Sequence, residues 1–230
     1  MDNEVFYCTI CGKQLYPISQ ELECIYCKER SIADYACADA HFVCENCRLA
    51  SPEELIKTTC ERSEFQNPYE LAILLMRHPI IPMHSPVHHF LVPAVLLSTI
   101  KNTCYNLPHN VIKRAIKRGI RLPYGICGSY GICGAGAGVG VAISILTKAT
   151  YMSDAERAMA LDASGKSLIS ISQLGGPRCC EASVYASLET AINFLRKNMG
   201  ITLLATFVGC PFSSLNETCR KEGCKYYPVW

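Results

Sequence analysis

From residue 51 onward, apolar and polar positions recur with helical period in long segments that carry their own start signals, whereas the first fifty residues show no such rhythm. Ser51-Pro52-Glu53-Glu54 sets an N-cap serine before proline at the first helical position and glutamate at the third. The same grammar recurs at Asn67-Pro68-Tyr69-Glu70, Ser85-Pro86 and Ser153-Asp154-Ala155-Glu156, while Gly119 and Gly200 stand where helices should end. The pattern predicts helices over residues 52–62, 68–77, 86–104, 108–118, 136–149, 154–173 and 180–199, the third kinked at Pro93. Only ITLLATFV, residues 201–208, reads as a strand, being dense in β-branched and apolar residues and too short for a buried helix. The expected fold class is mainly α. A helical domain over 51–230, with a central Cys/His site and a cysteine-rich C-terminal tail, follows a small cysteine-rich zinc-ribbon or knuckle module over 1–50.

Half of the 230 residues are hydrophobic, enough for a buried core, and 22 Lys and Arg against 20 Asp and Glu leave a net charge of only +2. No global field recruits nucleic acid or anionic lipid, so such a partner needs a local patch. HNVIKRAIKRGIR supplies one, with Lys113, Arg114, Lys117, Arg118 and Arg121 on a basic amphipathic helix that is either a solvated face or a contact for RNA or another polyanion. The longest apolar stretches, 90–100 and 135–146, fall short of the roughly 20 residues that span hydrocarbon, so no membrane partner is expected. The acidic start MDNEVFYCTICGK lacks the basic and apolar regions of a signal peptide, which points to a cytoplasmic location.

Cysteine then decides the chemistry. There are 16, and in a reducing compartment closely spaced thiols read as metal ligands or redox groups rather than disulfides. Cys8-x2-Cys11, Cys24-x2-Cys27 and Cys37-x3-His41-x2-Cys44-x2-Cys47 supply four ligand pairs, which suits two tetrahedral zinc ions. A sequential grouping puts Cys8, Cys11, Cys24 and Cys27 on one ion and the rest on the other, whereas a cross-brace interleaves the pairs; spacing leaves both open. An iron–sulfur cluster is the alternative occupant, with His41 favouring zinc. In the tail, Cys210, Cys219 and Cys224 form a further metal-ligand set one short of closure, so a fourth ligand must come from elsewhere.

Three central patches bear on a second site. MHSPVHHF carries His84, His88 and His89 around a helix start, with His84 and His88 spaced to share a metal or shuttle protons. YGICGSYGICGAGAGVG puts Cys127 and Cys133 on a glycine-rich loop entering a helix, where Gly134 and Gly136 let the backbone approach a cluster or anion. GGPRCCEAS puts Cys179 and Cys180 at another helix start beside Arg178, where the helix terminus should depress thiol pKa values. Two nucleotide-motif matches are discounted: residues 134–140 lack the G-x-G-x-x-G spacing, and Ala160-x4-Gly165-Lys166-Ser167 sits in a helical context.

PMHSPVHHFLVPAVLL, LPYGICGSYGICGAGAG, GGPRCC, HFVCENC and the CPF…C…GC tail together resemble the cysteine-rich family of unknown function 5714 over most of the chain. The resemblance implies a multi-cysteine site without naming a reaction. It also implies Gly and Glu where this chain has Ser85 and Val87, and a basic pair where it has Glu181-Ala182. The expected function is that of a cytoplasmic metal-binding protein with sulfur or redox chemistry. In that reading Cys127, Cys133, Cys179 and Cys180 ligate an iron–sulfur cluster or act as nucleophiles on a small-molecule or thiol substrate, and Arg178 orients it. His88 moves protons, and His84, His89, Gly134 and Gly136 bind the cofactor. The alternative is a non-catalytic zinc-dependent adaptor for a protein or RNA.

Overall fold

The computed structural model describes residues 5–103 and 105–228. Residues 1–4 and 229–230, at the ends of the two expected domains, and residue 104, the last of the helix expected over 86–104, lie outside the described residues.

The amino-terminal module is a two-stranded antiparallel hairpin, β1 (Leu15–Glu23) and β2 (Arg30–Cys37), followed by the single turn α1 (Glu45–Arg48). Sequence periodicity missed the hairpin because most residues of both strands face solvent, leaving no apolar alternation to read. What fixes its register is the pair of cysteine turns flanking it. Cys8 is bonded to Lys13 and Cys24 to Glu29 through the backbone, and Gly12 takes the positive φ that such a turn requires. The module docks on the helices through Tyr26, fully buried, whose hydroxyl donates to the Leu74 carbonyl at 3.3 Å, and through Arg62, which donates to the Cys27 carbonyl at 3.0 Å.

The remaining α-helices among the described residues are α2 (Pro52–Arg62), α3 (Pro68–Met76), α4 (Val87–Asn102), α5 (Val111–Gly119), α6 (Ile126–Tyr130), α7 (Gly134–Leu146), α8 (Ala155–Ser172) and α9 (Cys180–Met199). Among them no helix is long and apolar enough to cross a membrane. The expected capping box is present on α2: Ser51 Oγ accepts from Glu54 N and the Glu54 carboxylate accepts from Ser51 N. Helix α4 is the hub, buried along most of its length and packed against α2, α3, α5, α7 and α9.

Close approach between helices accounts for glycine along the 134–140 stretch. A methyl at Gly134 would overlap the His89 ring and one at Gly138 would sit 2.9 Å from Pro93 Cδ, so this edge of α7 lies directly on α4. On another edge, Gly136 meets Leu168 and Ile171, and Gly140 meets Ser164 and the Ala160 carbonyl of α8. Helix α5 ends at Gly119 as expected, with Gly119 itself in the last turn, and it too touches α4 at Phe90. Gly200, at φ +67, does cap α9. The near-match to a phosphate loop runs unbroken through α8, with Ser167 buried against Ser187.

The strand expected over 201–208 is absent: the segment has no regular secondary structure and no ladder partner among the described residues. Ile201 and Leu203 are buried, and Phe207 packs among the rings of Tyr69, Tyr185 and Tyr226 at centroid distances of 4.8–5.5 Å. Asn67 takes the role of the missing strand, since its Oδ1 caps Tyr69 N on α3 at 3.0 Å while its Nδ2 donates to the Thr206 carbonyl at 2.7 Å. Asn67→Ala should therefore cost about 1–2 kcal/mol, by loss of the cap and of a buried hydrogen bond, and raise amide exchange in residues 201–210. A urea midpoint equal to that of the parent protein would refute this role.

Candidate functional site

The two knuckles are interleaved. Cys8, Cys11, Cys37 and His41 bring their ligand atoms within 4.8 Å of one another, and Cys24, Cys27, Cys44 and Cys47 do the same. The cross-brace is thus realised and the sequential grouping is not. Sulfur–sulfur separations of 3.6 Å for Cys11–Cys37 and Cys27–Cys44, and 3.4 Å from Cys37 Sγ to His41 Nδ1, match the edges of about 3.5–3.8 Å expected of a tetrahedron with zinc–ligand bonds near 2.0–2.3 Å. Each set can hold a metal ion and is compatible with zinc.

Electrostatics point the same way. Hydrogen bonding from Cys47 lowers the Cys24 thiol to about 4, while burial raises Cys11 and Cys27 to about 11. Burial alone would raise Cys37, but hydrogen bonds from the His41 and Asp39 backbone and from Cys11 and Cys8 outweigh it, and its pKa falls. Each site therefore has one thiol whose pKa is lowered, Cys37 or Cys24, beside one that burial raises, Cys11 or Cys27, and a cation would favour ionisation of the latter.

The tail and the central patches meet in one cavity of about 290 Å³, into which every cysteine between residues 105 and 228 opens: Cys127, Cys133, Cys179, Cys180, Cys210, Cys219 and Cys224. Cys133 is the N-cap of α7 and Cys179 the N-cap of α9, so two helix starts converge there. The tail is folded over them. Cys210 N donates to the Tyr226 carbonyl at 2.8 Å, Tyr226 Oη and Lys225 Nζ bind Glu189 of α9, and Arg220 lies across Gly176, whose φ is +69. The three tail cysteines thus join the central site. The knuckles are the only groups of three or more His, Cys, Asp or Glu ligand atoms drawn within 4.8 Å among the described residues.

Adjacent Cys179 and Cys180 diverge. Both feel the charge of Glu181, but Cys180 also feels Arg178 and Cys133, whereas Cys179 interacts with Cys210, and Cys210 in turn with Cys224. The cavity therefore has two thiol faces. Arg178 is exposed at the mouth, donating to Tyr124 Oη at 3.3 Å. Cys127 is exposed as well. The depressed thiol pKa values expected at these helix starts are not found. Ala182 N does donate to Cys179 Sγ at 3.4 Å, but burial outweighs it and pushes Cys179 and Cys180 up to about 12 and Cys210 to about 11. Alkylation of Cys180 in metal-free protein should accordingly accelerate about tenfold per pH unit up to pH 10 without a plateau, read by mass spectrometry of the labelled peptide. A plateau near pH 8 would show that the helix start wins after all.

The histidine motif supplies the floor. His88 is 1% exposed, and its Nδ1 donates to the Ser85 carbonyl at 3.0 Å, which turns Nε2 inward to lie 3.7 Å from Glu181 Oε1. His84 Nδ1 lies 4.0 Å from Glu181 Oε2. His89 instead donates from Nδ1 to the Leu122 carbonyl at 3.1 Å and packs on Gly134, so it braces the cavity wall. Gly134 borders the cavity, whereas Gly136 faces α8 outside it. Burial pushes Glu181 up to about 7 and His88 down to about 4.

A family model described as a family of unknown function, DUF5714, matches residues 56–227. The chain belongs to DUF5714. That match covers the helical domain and tail with the whole cavity, and leaves the hairpin and both knuckles of the amino-terminal module outside it. No curated protein and no solved structure matches the chain. The DUF5714 region contains the two residues that sequence reasoning passed over, Glu181 and Tyr185. Glu181 reads as an ordinary first-turn acid of α9 and Tyr185 as core; only the fold reveals that both face the cysteines.

Proposed function

We propose that this protein carries out sulfur or redox chemistry in its cysteine-lined cavity, on a small-molecule or thiol substrate, with the amino-terminal module folded around two zinc ions. One observation carries the reading: seven cysteines from three separate stretches of chain open into a single cavity with an arginine at its mouth. Thiols kept protonated by burial are slow nucleophiles but become ligands once a cation ionises them, which favours an iron–sulfur cluster over free thiolates. Cys127, Cys133 and Cys180, on the Arg178 side, are its candidate ligands, and Arg178 is placed to orient an anionic substrate.

The test is an anaerobic preparation, reconstituted with iron and sulfide if needed. The reading expects iron and acid-labile sulfide in near-stoichiometric amount, with visible charge-transfer absorption that Cys180→Ser removes. A colourless protein holding zinc in its knuckles alone would overturn it.

A second reading rests on α5 and the turn after it, where none of Lys113, Arg114, Lys117, Arg118 and Arg121 pairs with a carboxylate among the described residues. These cations support an adaptor that docks RNA, and reversing Lys113 and Lys117 to Glu should then weaken RNA binding with a reduced salt dependence.

A further inference from the structure

Among the described residues, two buried imidazole nitrogens without a hydrogen-bond partner, His84 Nδ1 and His88 Nε2, face one carboxylate, that of Glu181. Buried polar atoms almost always have a hydrogen-bond partner, so two orphans facing one carboxylate call for a missing one. Glu181 Oε1 is 3.7 Å from His88 Nε2 and Oε2 is 4.0 Å from His84 Nδ1, too long for hydrogen bonds but close to the separation of two ligands on one ion.

We infer that His84, His88 and Glu181 form a binding site for a single divalent transition-metal cation, distinct from the two knuckles and adjoining the thiol cavity, with Cys179 as its nearest sulfur. The inference deepens the metal reading of the cavity and rests on it for the chemistry the ion would serve. Two imidazoles and one carboxylate are a donor set for zinc or ferrous iron. The hydrogen bond from His88 Nδ1 to the Ser85 carbonyl fixes the tautomer that leaves Nε2 unprotonated, as an outer partner does for a metal-bound histidine. Cys179 Sγ stands 3.4 Å from Glu181 Oε2 and accepts from Asn216 Nδ2 at 3.6 Å, so the thiol is held beside the ion's position. A dication also removes the conflict of a carboxylate buried with no cation against it. The three ligand atoms are not drawn together as closely as those of the knuckles, so binding requires the side chains to close on the ion.

The test is cobalt uptake by the full chain, prepared anaerobically with its knuckles already zinc-loaded and zinc counted before and after. The inference expects one further equivalent of Co²⁺ with d–d absorption, bound at least tenfold more weakly in His88→Ala and in Glu181→Gln while knuckle zinc is unchanged. Glu181→Gln keeps the shape of the side chain, so its result stands if His88→Ala fails to fold. Cys127→Ser and Cys180→Ser should retain the cobalt, even though Cys180→Ser should lose the iron–sulfur chromophore; the two readings can thus fail separately. Absence of the extra equivalent, its persistence in both His88 and Glu181 variants, or its loss only with Cys180 or Cys210 would overturn the site.

Discussion

Removing metal with a strong chelator at neutral pH is expected to unfold residues 6–48 while the helices around α4 stay folded. The module has almost no other source of stability. Its hairpin is mostly exposed, and its buried residues are largely the ligands themselves with Ile10, Tyr26, Ala33, Ala36 and Phe42. Structural zinc in modules of this size supplies about 10–16 kcal/mol of apparent binding free energy, far above what these few apolar contacts provide. The interleaving makes the loss cooperative, because β2 ends in Cys37 of one site and Cys44 of the other follows within seven residues. Cys24→Ser should mimic the chelator at one site and loosen both. Acidification has the same sign: protons compete for the thiolates, so zinc is released as pH falls and the module melts with it. Hydrogen exchange resolved by segment checks this, and protection of 15–37 that survives full zinc removal would contradict it.

The second large effect belongs to Gly119. A methyl there would lie 2.6 Å from Phe90 Cα and Cβ and 2.8 Å from the His89 carbonyl, and two of these three atoms are backbone. Pro93 has no N–H to offer that carbonyl four residues back, so α5 and α7 crowd in on it at Gly119 and Gly138. Alanine at 119 cannot be absorbed by a rotamer change. Its destabilisation is expected at the upper end of the usual overpacking cost, about 3 kcal/mol, with α5 displaced from α4 and the His89 side of the cavity with it. A urea denaturation curve superimposing on that of the parent protein would show that the α4–α5 contact is looser than described.

Much of this architecture was legible because its signals are local. Ser51-Pro52 and Asn67-Pro68 mark helix starts through hydrogen bonds that span three residues, and the C-x2-C pairs mark ligand turns through the reach of a single loop. What escaped is long-range. The choice between interleaved and sequential knuckles depends on how the hairpin folds back, and the spacing of Cys8, Cys24, Cys37 and Cys44 is compatible with either. The apparent strand at 201–208 has the right composition but meets Asn67 and an aromatic cluster rather than another strand edge. Thiol acidity at α9 was misjudged because helix-terminus electrostatics can be read from sequence and burial cannot. The role of Glu181 was invisible for the same reason, since the histidines it faces lie almost a hundred residues upstream.

The account rests on the thiols of the helical domain forming one metal-bearing centre separate from the knuckles. A crystal structure of the anaerobically prepared protein, with anomalous diffraction recorded at the iron and zinc edges, tests that directly. Zinc peaks within the Cys8/Cys11/Cys37/His41 and Cys24/Cys27/Cys44/Cys47 sets, with an iron peak in the cavity between α7 and α9, are the predicted result. Anomalous peaks at the knuckles alone, with the cavity cysteines unligated around solvent, would contradict it.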